Sequence, residues 1–238
     1  MVDADAAAHS PWQTARVLGV TDETPTAKTF RCALARPVRH RAGQHYVVRL
    51  TAPDGYTAQR SYSVASAPDD SGEIDLTVER LEDGEVSTYL HDVVEVGDEL
   101  EVRGPIGGWF VWDGDAPAVL VGGGSGLVPL MAMLRLARLG QRSDLIRLVV
   151  SVRQPDDLYY RDEVAGPETA VVYTRVAPPG STRPVGRLRA TDLAPALLPD
   201  ATVYVCGTAG FADGASELLV GLGVPVPRIR VERFGPTG

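Results

Sequence analysis

One short segment places a positive charge, an aromatic ring and two hydroxyls within four residues, Arg60-Ser61-Tyr62-Ser63. On a predicted strand, alternation sends Arg60 and Tyr62 to one side and Ser61 and Ser63 to the other. A guanidinium suits a phosphate, and an aromatic ring offers a plane for stacking. The segment therefore predicts a phosphate site beside a ring-binding plane, although ordinary packing at a sheet surface explains the pattern as well.

Two further segments carry glycines at predicted turns. Gly84-Glu85-Val86-Ser87 begins a predicted short helix over 86–94, whose N-terminal N–H groups attract an anion, with Ser87 as a capping hydroxyl. This predicts pyrophosphate binding, and an ordinary capped helix is the alternative. The run Gly104-Pro105-Ile106-Gly107-Gly108-Trp109-Phe110 is by itself more typical of a tight corner than of a ligand site.

The glycine-rich turn from Gly122 to Gly126 follows a predicted buried strand and precedes a predicted helix. At such a turn the phosphates of a dinucleotide can approach bare backbone. The turn lacks the Gly-Lys-Ser/Thr of a Walker loop, and Leu127 or Pro129 stands where a Rossmann fingerprint has its third glycine. It predicts nucleotide binding, with a close helix–strand contact as the alternative; the candidate contacts are Gly123, Gly124, Ser125 and Gly126.

The hydrophobic pattern changes near residue 114, which predicts two domains, 1–114 and 115–238. Short alternating runs broken by Gly, Pro and Asp predict an antiparallel Greek-key β-barrel first. Apolar strands alternating with helices then predict a parallel α/β sheet that binds ligands at the carboxyl ends of its strands. The predicted strands are 45–51, 60–66, 73–80, 98–103, 118–121, 145–152, 170–174, 202–206 and 229–233, and the helices are 86–94, 127–139 and 209–222.

Composition excludes several classes of function. The net charge of -8 resides in residues 1–114, which hold 10 basic and 19 acidic residues, against 13 and 12 in the remainder, so nucleic acid is a poor partner. Two cysteines and four scattered histidines predict no disulfide framework, metal site or iron–sulfur cluster within the chain. No apolar run approaches the ~20 residues of a membrane span, and Met1 to Ser10 lack the features of a signal peptide. We expect a cytoplasmic monomer.

The order of these motifs resembles the ferredoxin–NADP reductase superfamily, specifically the short bacterial reductases that lack a fused iron–sulfur domain. The resemblance spans residues 12–238 and includes a fifth motif, Cys206-Gly207-x-x-x-Phe211. It implies FAD in the barrel and a nicotinamide dinucleotide on the α/β domain. Hydride would pass from the dinucleotide to the flavin, and electrons would then pass to an acceptor.

The resemblance also implies individual roles. Arg60 would bind the FAD pyrophosphate, Tyr62 would lie against the isoalloxazine and Ser63 near flavin N5. Further flavin contacts would come from Gly84, Val86 and Ser87.

On the α/β domain the resemblance places the Cys206 thiol beside the nicotinamide, with Gly207 and Phe211 in the same motif. Ser63, Cys206 and Glu232 are the candidates for polar groups around hydride transfer. Phe234 would stack on the flavin, although packing at the sheet edge is the alternative, and the role of the tail from Gly235 to Gly238 stays open.

The sequence predicts NADPH over NADH. The second strand of the α/β domain ends in Ser151-Val152-Arg153, without the carboxylate that an NAD site offers to the ribose. The next strand ends in Thr174-Arg175, the Ser/Thr-Arg pair that in the family grips a 2′-phosphate, and Arg183 and Arg187 follow. Asp156 and Asp157 argue mildly for NADH.

The electron acceptor is not specified by the sequence, and a ferredoxin, a flavodoxin or an oxygenase component would serve. Arg36, Arg39, His40 and Arg41 form a basic run that could dock such an acidic protein, or could be a solvated loop. A diaphorase or flavin reductase with small acceptors, and an electron-transfer subunit that works only within a complex, are the alternative functions.

Overall fold

The computed structural model describes residues 10–235 and divides into two compact units, with the division between Val111 and Trp112. The strands are β1 Gln13–Thr24, β2 Ala27–Leu34, β3 His45–Thr51, β4 Thr57–Ser63, β5 Glu73–Glu79, β6 Glu99–Ile106, β7 Ala118–Gly123, β8 Ile146–Val152, β9 Thr169–Tyr173, β10 Thr202–Thr208 and β11 Ile229–Phe234. The helices are α1 Glu85–Asp92, α2 Leu127–Leu139, α3 Arg161–Val164, α4 Ala190–Leu193 and α5 Ala209–Gly221.

The first unit is an antiparallel six-stranded sheet in the order β4-β3-β6-β1-β2-β5. A bridge between Val64 and Leu76 joins the end of β4 to β5, so the two edge strands meet and the sheet curls into a barrel. The predicted antiparallel barrel is therefore confirmed.

Alternation fills the barrel with side chains from every strand, including Val17, Phe30, Tyr46 and Leu76. Helix α1 adds Val86 and Leu90 to the same core, because residues four apart share one face. The helix is thereby fixed against the barrel, and its first turn is held in one position.

The second unit is a parallel sheet in the order β11-β10-β7-β8-β9. The chain leaves β7 towards β8 and later returns to the other side of β7 with β10, so the strand order reverses between β7 and β10. Ligands of such sheets bind at this reversal, beyond the carboxyl ends of the strands. The predicted α/β sheet is confirmed, and its binding edge lies where β7 ends in Gly122-Gly123 and β10 in Gly207-Thr208, directly after Cys206.

Several boundaries differ from the sequence prediction. Strand β4 begins at Thr57, three residues early, because it pairs with β3 along the full length of their hairpin, and it ends at Ser63 rather than residue 66. Helix α1 ends at Asp92, since Val93 already lies outside helical geometry. The four-residue helices α3 and α4 were not predicted, because they are too short to show a hydrophobic period.

Within residues 10–235, none of the helices combines the length and the apolar character that a bilayer-spanning helix requires.

Candidate functional site

Strand β4 holds its four candidate residues in different environments. Arg60 is exposed and donates one hydrogen bond, from Nη1 to the carbonyl oxygen of Gln59 at 2.8 Å. Tyr62 is half-buried against the barrel core, where burial raises the pKa of its phenol well above the usual value. Ser63 is buried and Ser61 exposed, although they share a face, because Ser63 lies at the strand end opposite His45.

The start of helix α1 lies in the same neighbourhood as Arg60. Tyr56 in the β3–β4 hairpin donates a hydrogen bond to the Glu85 carboxylate at 3.0 Å, and Glu85 is the first residue of α1. That bond raises the pKa of the Tyr56 phenol, while the charge of Arg60 acts on it in the opposite direction. An exposed guanidinium with further donors and a helix N terminus thus lie near one another, an arrangement that suits a pyrophosphate.

The predicted capping role of Ser87 is wrong. Gly84 is the residue that precedes the helix, and Ser87 is its third residue. The Ser87 hydroxyl is buried, accepts from the Leu81 amide at 3.2 Å and donates to the Gly84 carbonyl at 3.1 Å. It therefore fixes the turn before α1, and the neighbouring Val86 side chain is core, which leaves the backbone amides of the first turn as possible anion contacts.

In the second unit the glycine-rich turn packs directly on the end of β10. Gly124 to Gly126 form a 3₁₀ turn that begins with a positive φ of 54° at Gly124, a conformation that favours glycine. A Cβ at Gly126 would overlap the carbonyl oxygen of Cys206. The turn can approach β10 so closely only because Gly126 has no side chain, and Ser125 is left half-buried at its apex.

Phe211 closes the far side of the same turn. A Cβ at Gly123 would lie 2.6 Å from its ring and one at Gly207 2.7 Å from it, so the ring rests on bare backbone at both positions. Phe211 is half-buried in the first turn of α5. Its contacts show a packing role that shapes the ends of β7 and β10.

Cys206 and Glu232 are register partners on neighbouring parallel strands. Cys206 is fully buried, and burial, reinforced by the Glu232 charge, raises the pKa of its thiol well above the usual value. Burial also raises the pKa of the Glu232 carboxyl to about 7. Cys206 is therefore a neutral thiol at neutral pH, beside a carboxyl that is close to its midpoint of ionisation.

The strand ends that carry the predicted dinucleotide contacts lie side by side. Ser151 on β8 is buried opposite Gly123 of β7, and the Thr174 amide donates to the Val152 carbonyl. Arg153 forms an ion pair with Asp157 at 3.0 Å, so one of the two carboxylates that favoured NADH is already bound to an arginine. Arg175 is exposed, and the structure shows no partner for its side chain among residues 10–235.

Arg183 does not have the free guanidinium that the sequence suggested. It is half-buried and bound to both carboxylate oxygens of Asp192, from Nε at 2.6 Å and from Nη2 at 2.7 Å. It also donates to carbonyl oxygens of its own loop. The sequence could not predict that Asp192 binds Arg183, because the two residues lie nine positions apart and belong to no recognisable motif.

The predicted basic run is also not a free patch. Arg39 pairs with Asp70 at 3.1 Å, and Arg36 donates to the Trp12 carbonyl. His40 is buried beside the Ser66 carbonyl, and burial lowers the pKa of its imidazole. Arg36 and Arg39 thus have partners within the barrel and are still exposed, so a docking surface and a solvated loop both remain open.

Phe234 is half-buried at the end of β11, opposite Thr208 of β10. Residues 236–238 of the predicted tail lie outside the described residues.

Local contacts of both units fit the predicted cofactors. In the barrel, Arg60 keeps free donors near the start of α1. In the α/β unit, Gly126 leaves bare backbone at a position where there is no room for a side chain. Glu232 Oε2 is buried there without a hydrogen-bond partner among the described residues. A buried unpaired oxygen at the binding edge is the kind of atom that a ligand amide satisfies.

Each of the two units matches the model of a known domain family. Residues 15–111 match the model of the oxidoreductase FAD-binding domain, and residues 120–217 match that of the oxidoreductase NAD-binding domain. The chain belongs to the ferredoxin–NADP reductase superfamily. In this superfamily the barrel is the FAD-binding domain and the parallel sheet the NAD-binding domain, in the order found here.

Individual relatives within the superfamily carry different names. A flavohemoprotein of Pseudomonas putida is 35% identical over 82% of this chain, and the reductase component of propane 2-monooxygenase of Rhodococcus jostii is 28% identical over 92%. The chain spans only 51% and 62% of these two proteins. The solved FAD/NAD-binding domain of a nitric oxide dioxygenase from Vibrio cholerae superimposes with a TM-score of 0.82 at 25% identity, covering 94% of this chain and 99% of that one.

Proposed function

We propose that this protein is an FAD-dependent reductase that takes hydride from NADPH and passes electrons to a separate redox protein. The observation that carries the proposal is that each unit holds one candidate site built from its own residues. One is an exposed arginine near a helix N terminus in the barrel, and the other is a bare glycine turn packed on β10 at Cys206. When bound, FAD supplies the exchange between two-electron and one-electron transfer.

The barrel residues bind and orient the flavin. Arg60 contributes a charge-assisted contact to the pyrophosphate, together with backbone amides at the start of α1 between Gly84 and Ser87. Tyr62, held by the core, offers a rigid plane for the isoalloxazine, and Ser63 supplies a hydroxyl at the same strand end.

The α/β residues bind and orient the dinucleotide. The amides of Gly124, Ser125 and Gly126 approach its phosphates, and Cys206-Gly207 bounds the nicotinamide. Glu232 offers its unpaired carboxyl oxygen to a polar group of the ring, and Phe234 at the end of β11 is the candidate for the aromatic that shares the flavin face. None of these side chains needs to carry a proton for hydride to move.

The NADPH preference is part of the proposal. Arg175 has an exposed guanidinium at the end of β9, where the 2′-phosphate of NADPH would bring two negative charges. The two carboxylates that follow β8 are both paired, Asp157 with Arg153 and Asp156 with Arg161.

The acceptor we propose is a ferredoxin, a flavodoxin or an oxygenase component. Several relatives are named reductase components of oxygenase systems, such as that of propane 2-monooxygenase. We place this activity in the cytoplasm, which suits a chain whose two cysteines, Cys32 and Cys206, are both free and buried.

An acceptor panel tests this function. The purified protein is supplied with NADPH and, in turn, with a ferredoxin, a flavodoxin, an oxygenase component and free FMN. The proposal expects turnover with one of the proteins at a kcat/KM well above that for FMN. The reverse order would make the protein a diaphorase or flavin reductase, and no turnover with any acceptor despite reduction of the FAD would make it a subunit that needs its complex.

A further inference from the structure

The loop between β9 and α4, residues 174–189, is folded around one side chain that it contributes itself. Arg183 uses each of its three nitrogens: Nε and Nη2 bind the Asp192 carboxylate, Nη1 donates to the carbonyls of Pro184 at 2.7 Å and Gly186 at 3.4 Å, and Nη2 also donates to that of Arg187 at 3.0 Å. A guanidinium has five N–H donors. The five contacts account for all of them, so Arg183 has none left for a ligand.

Asp192 ties this arrangement to the following helix. Its Oδ2 accepts the Arg189 amide at 2.8 Å in addition to Arg183. Only 12% of the Asp192 side chain is exposed, and its pKa is lowered, first by the hydrogen bond from Arg183. The carboxylate is therefore ionised and fully engaged at neutral pH, and the pair is protected from solvent screening more than a surface ion pair is.

The loop is anchored at both ends to the binding edge of the sheet. The Arg175 amide donates to the Arg153 carbonyl at 2.9 Å, just after β9 ends. At the other end the Gly186 amide donates to the Tyr173 carbonyl at 3.1 Å, which brings the chain back to the same strand end. The loop backbone therefore returns to the end of β9 at Gly186, the residue before Arg187.

Three arginines of this loop are exposed, Arg175, Arg187 and Arg189, and the charge of Arg189 acts on Asp192. The structure shows no hydrogen bond or ion pair for the side chains of Arg175 and Arg187 with any described residue. They follow, respectively, the end of β9 and the amide that is bonded back to it. The loop thus buries one arginine as its support and leaves two guanidiniums available at the edge where the ribose end of a dinucleotide would lie.

We infer that the Arg183–Asp192 pair is a positioning element that holds Arg175 and Arg187 for the 2′-phosphate of the dinucleotide without touching the phosphate itself. This inference rests on the proposed NADPH preference. It assigns Arg187, rather than Arg183, as the second phosphate-binding residue. It also predicts that a positive charge at position 183 is not sufficient to hold the loop. Lysine carries that charge, but it has three donors on one nitrogen and cannot serve a carboxylate and three carbonyls together.

The test measures binding of two nucleotide fragments, 2′,5′-ADP and 5′-ADP, to the FAD-loaded protein. Arg183→Lys should weaken binding of 2′,5′-ADP about 10- to 100-fold and change binding of 5′-ADP by less than about 2-fold. Asp192→Asn should likewise weaken binding of 2′,5′-ADP more than binding of 5′-ADP. The matched control is Arg138→Lys, which alters another partly buried pair of this unit, Arg138 with Glu168, and should change neither affinity.

A combined variant separates positioning from direct contact. In the Arg175→Ala/Arg187→Ala background, adding Arg183→Lys should cause no further loss of 2′,5′-ADP binding, because the residues through which it acts are gone. A further loss there would show that Arg183 meets the phosphate directly and would overturn the inference.

Two further outcomes distinguish failure of this inference from failure of the NADPH preference. Unchanged 2′,5′-ADP binding in Arg183→Lys, in a wild type that binds this fragment more tightly than 5′-ADP, would overturn the inference and leave the NADPH preference intact. Equal binding of the two fragments by the wild type would overturn the NADPH preference itself, and the inference with it.

Discussion

At the scale of single residues, Glu232 makes the stability of the protein depend on pH. Its carboxyl pKa is about 7 in the folded chain against an ordinary 4.5, because burial disfavours the charged form. Between these values the folded state keeps a proton that the unfolded state has lost. The free energy of unfolding therefore decreases as pH rises through this window, by up to about 3 kcal/mol from this group.

Glu232→Gln should remove that component, since an amide does not titrate. We expect chemical denaturation of the wild type to show the decrease between pH 4.5 and about 7, and the variant to lack it. Glu217→Gln, which changes an exposed carboxylate on α5, is the control and should keep the wild-type slope. A Glu232→Gln slope identical to that of the wild type would mean that Glu232 ionises normally.

Arg60 is the residue on which FAD retention should depend most. Loss of a charge-assisted contact costs about 1.5 to 3 kcal/mol, so Arg60→Ala should weaken FAD binding about 10- to 150-fold and yield largely colourless protein. Arg16→Ala removes another exposed arginine of the barrel and should keep the flavin. Full FAD occupancy of Arg60→Ala after dialysis would show that β4 does not bind the pyrophosphate.

At the scale of elements, the glycine-rich turn depends on its contact with β10. Gly126→Ala would force the turn away from the Cys206 carbonyl, so we expect lower thermal stability and weakened dinucleotide binding. Gly214→Ala on α5 meets nothing within 4 Å and should leave binding unchanged while raising stability by about 0.5 to 1 kcal/mol. Wild-type affinity for NADPH in Gly126→Ala would contradict the proposed role of the turn.

The same elements show which features a sequence can predict. Helix α2 was predicted with its observed bounds, because a glycine precedes and another follows a largely apolar stretch. The glycine-rich turn was found because its glycines are contiguous. Helices α3 and α4 were missed, since four residues complete a single turn and leave no period to detect.

The roles of individual arginines were harder to predict than the elements. Residue type gives a charge but not its partner, so Arg183 read as a ligand contact although Asp192 occupies it. The sequence left Arg36 and Arg39 as either a docking patch or a solvated loop, and it did not show their partners, a backbone carbonyl and Asp70. Each of these pairings depends on the tertiary fold, whereas Arg175 stays exposed because no acidic group reaches it among the described residues.

At the scale of the whole molecule, the chain joins an antiparallel barrel and a parallel sheet that are each built around their own core. Each unit presents one binding arrangement, and neither alone can complete a transfer between two cofactors. The order of the two family domains along the chain follows that of the superfamily to which it belongs. The central claim is therefore that both cofactors act together on one polypeptide.

An anaerobic titration of the FAD-loaded protein tests this claim most directly. Purified protein is mixed with NADPH or NADH without any acceptor, and the loss of oxidised-flavin absorbance is followed in time. We predict complete bleaching by one equivalent of NADPH and a lower apparent second-order rate constant with NADH, with Arg175→Ala narrowing the difference. Flavin that binds to the protein but stays oxidised in excess NADPH and in excess NADH would contradict the account.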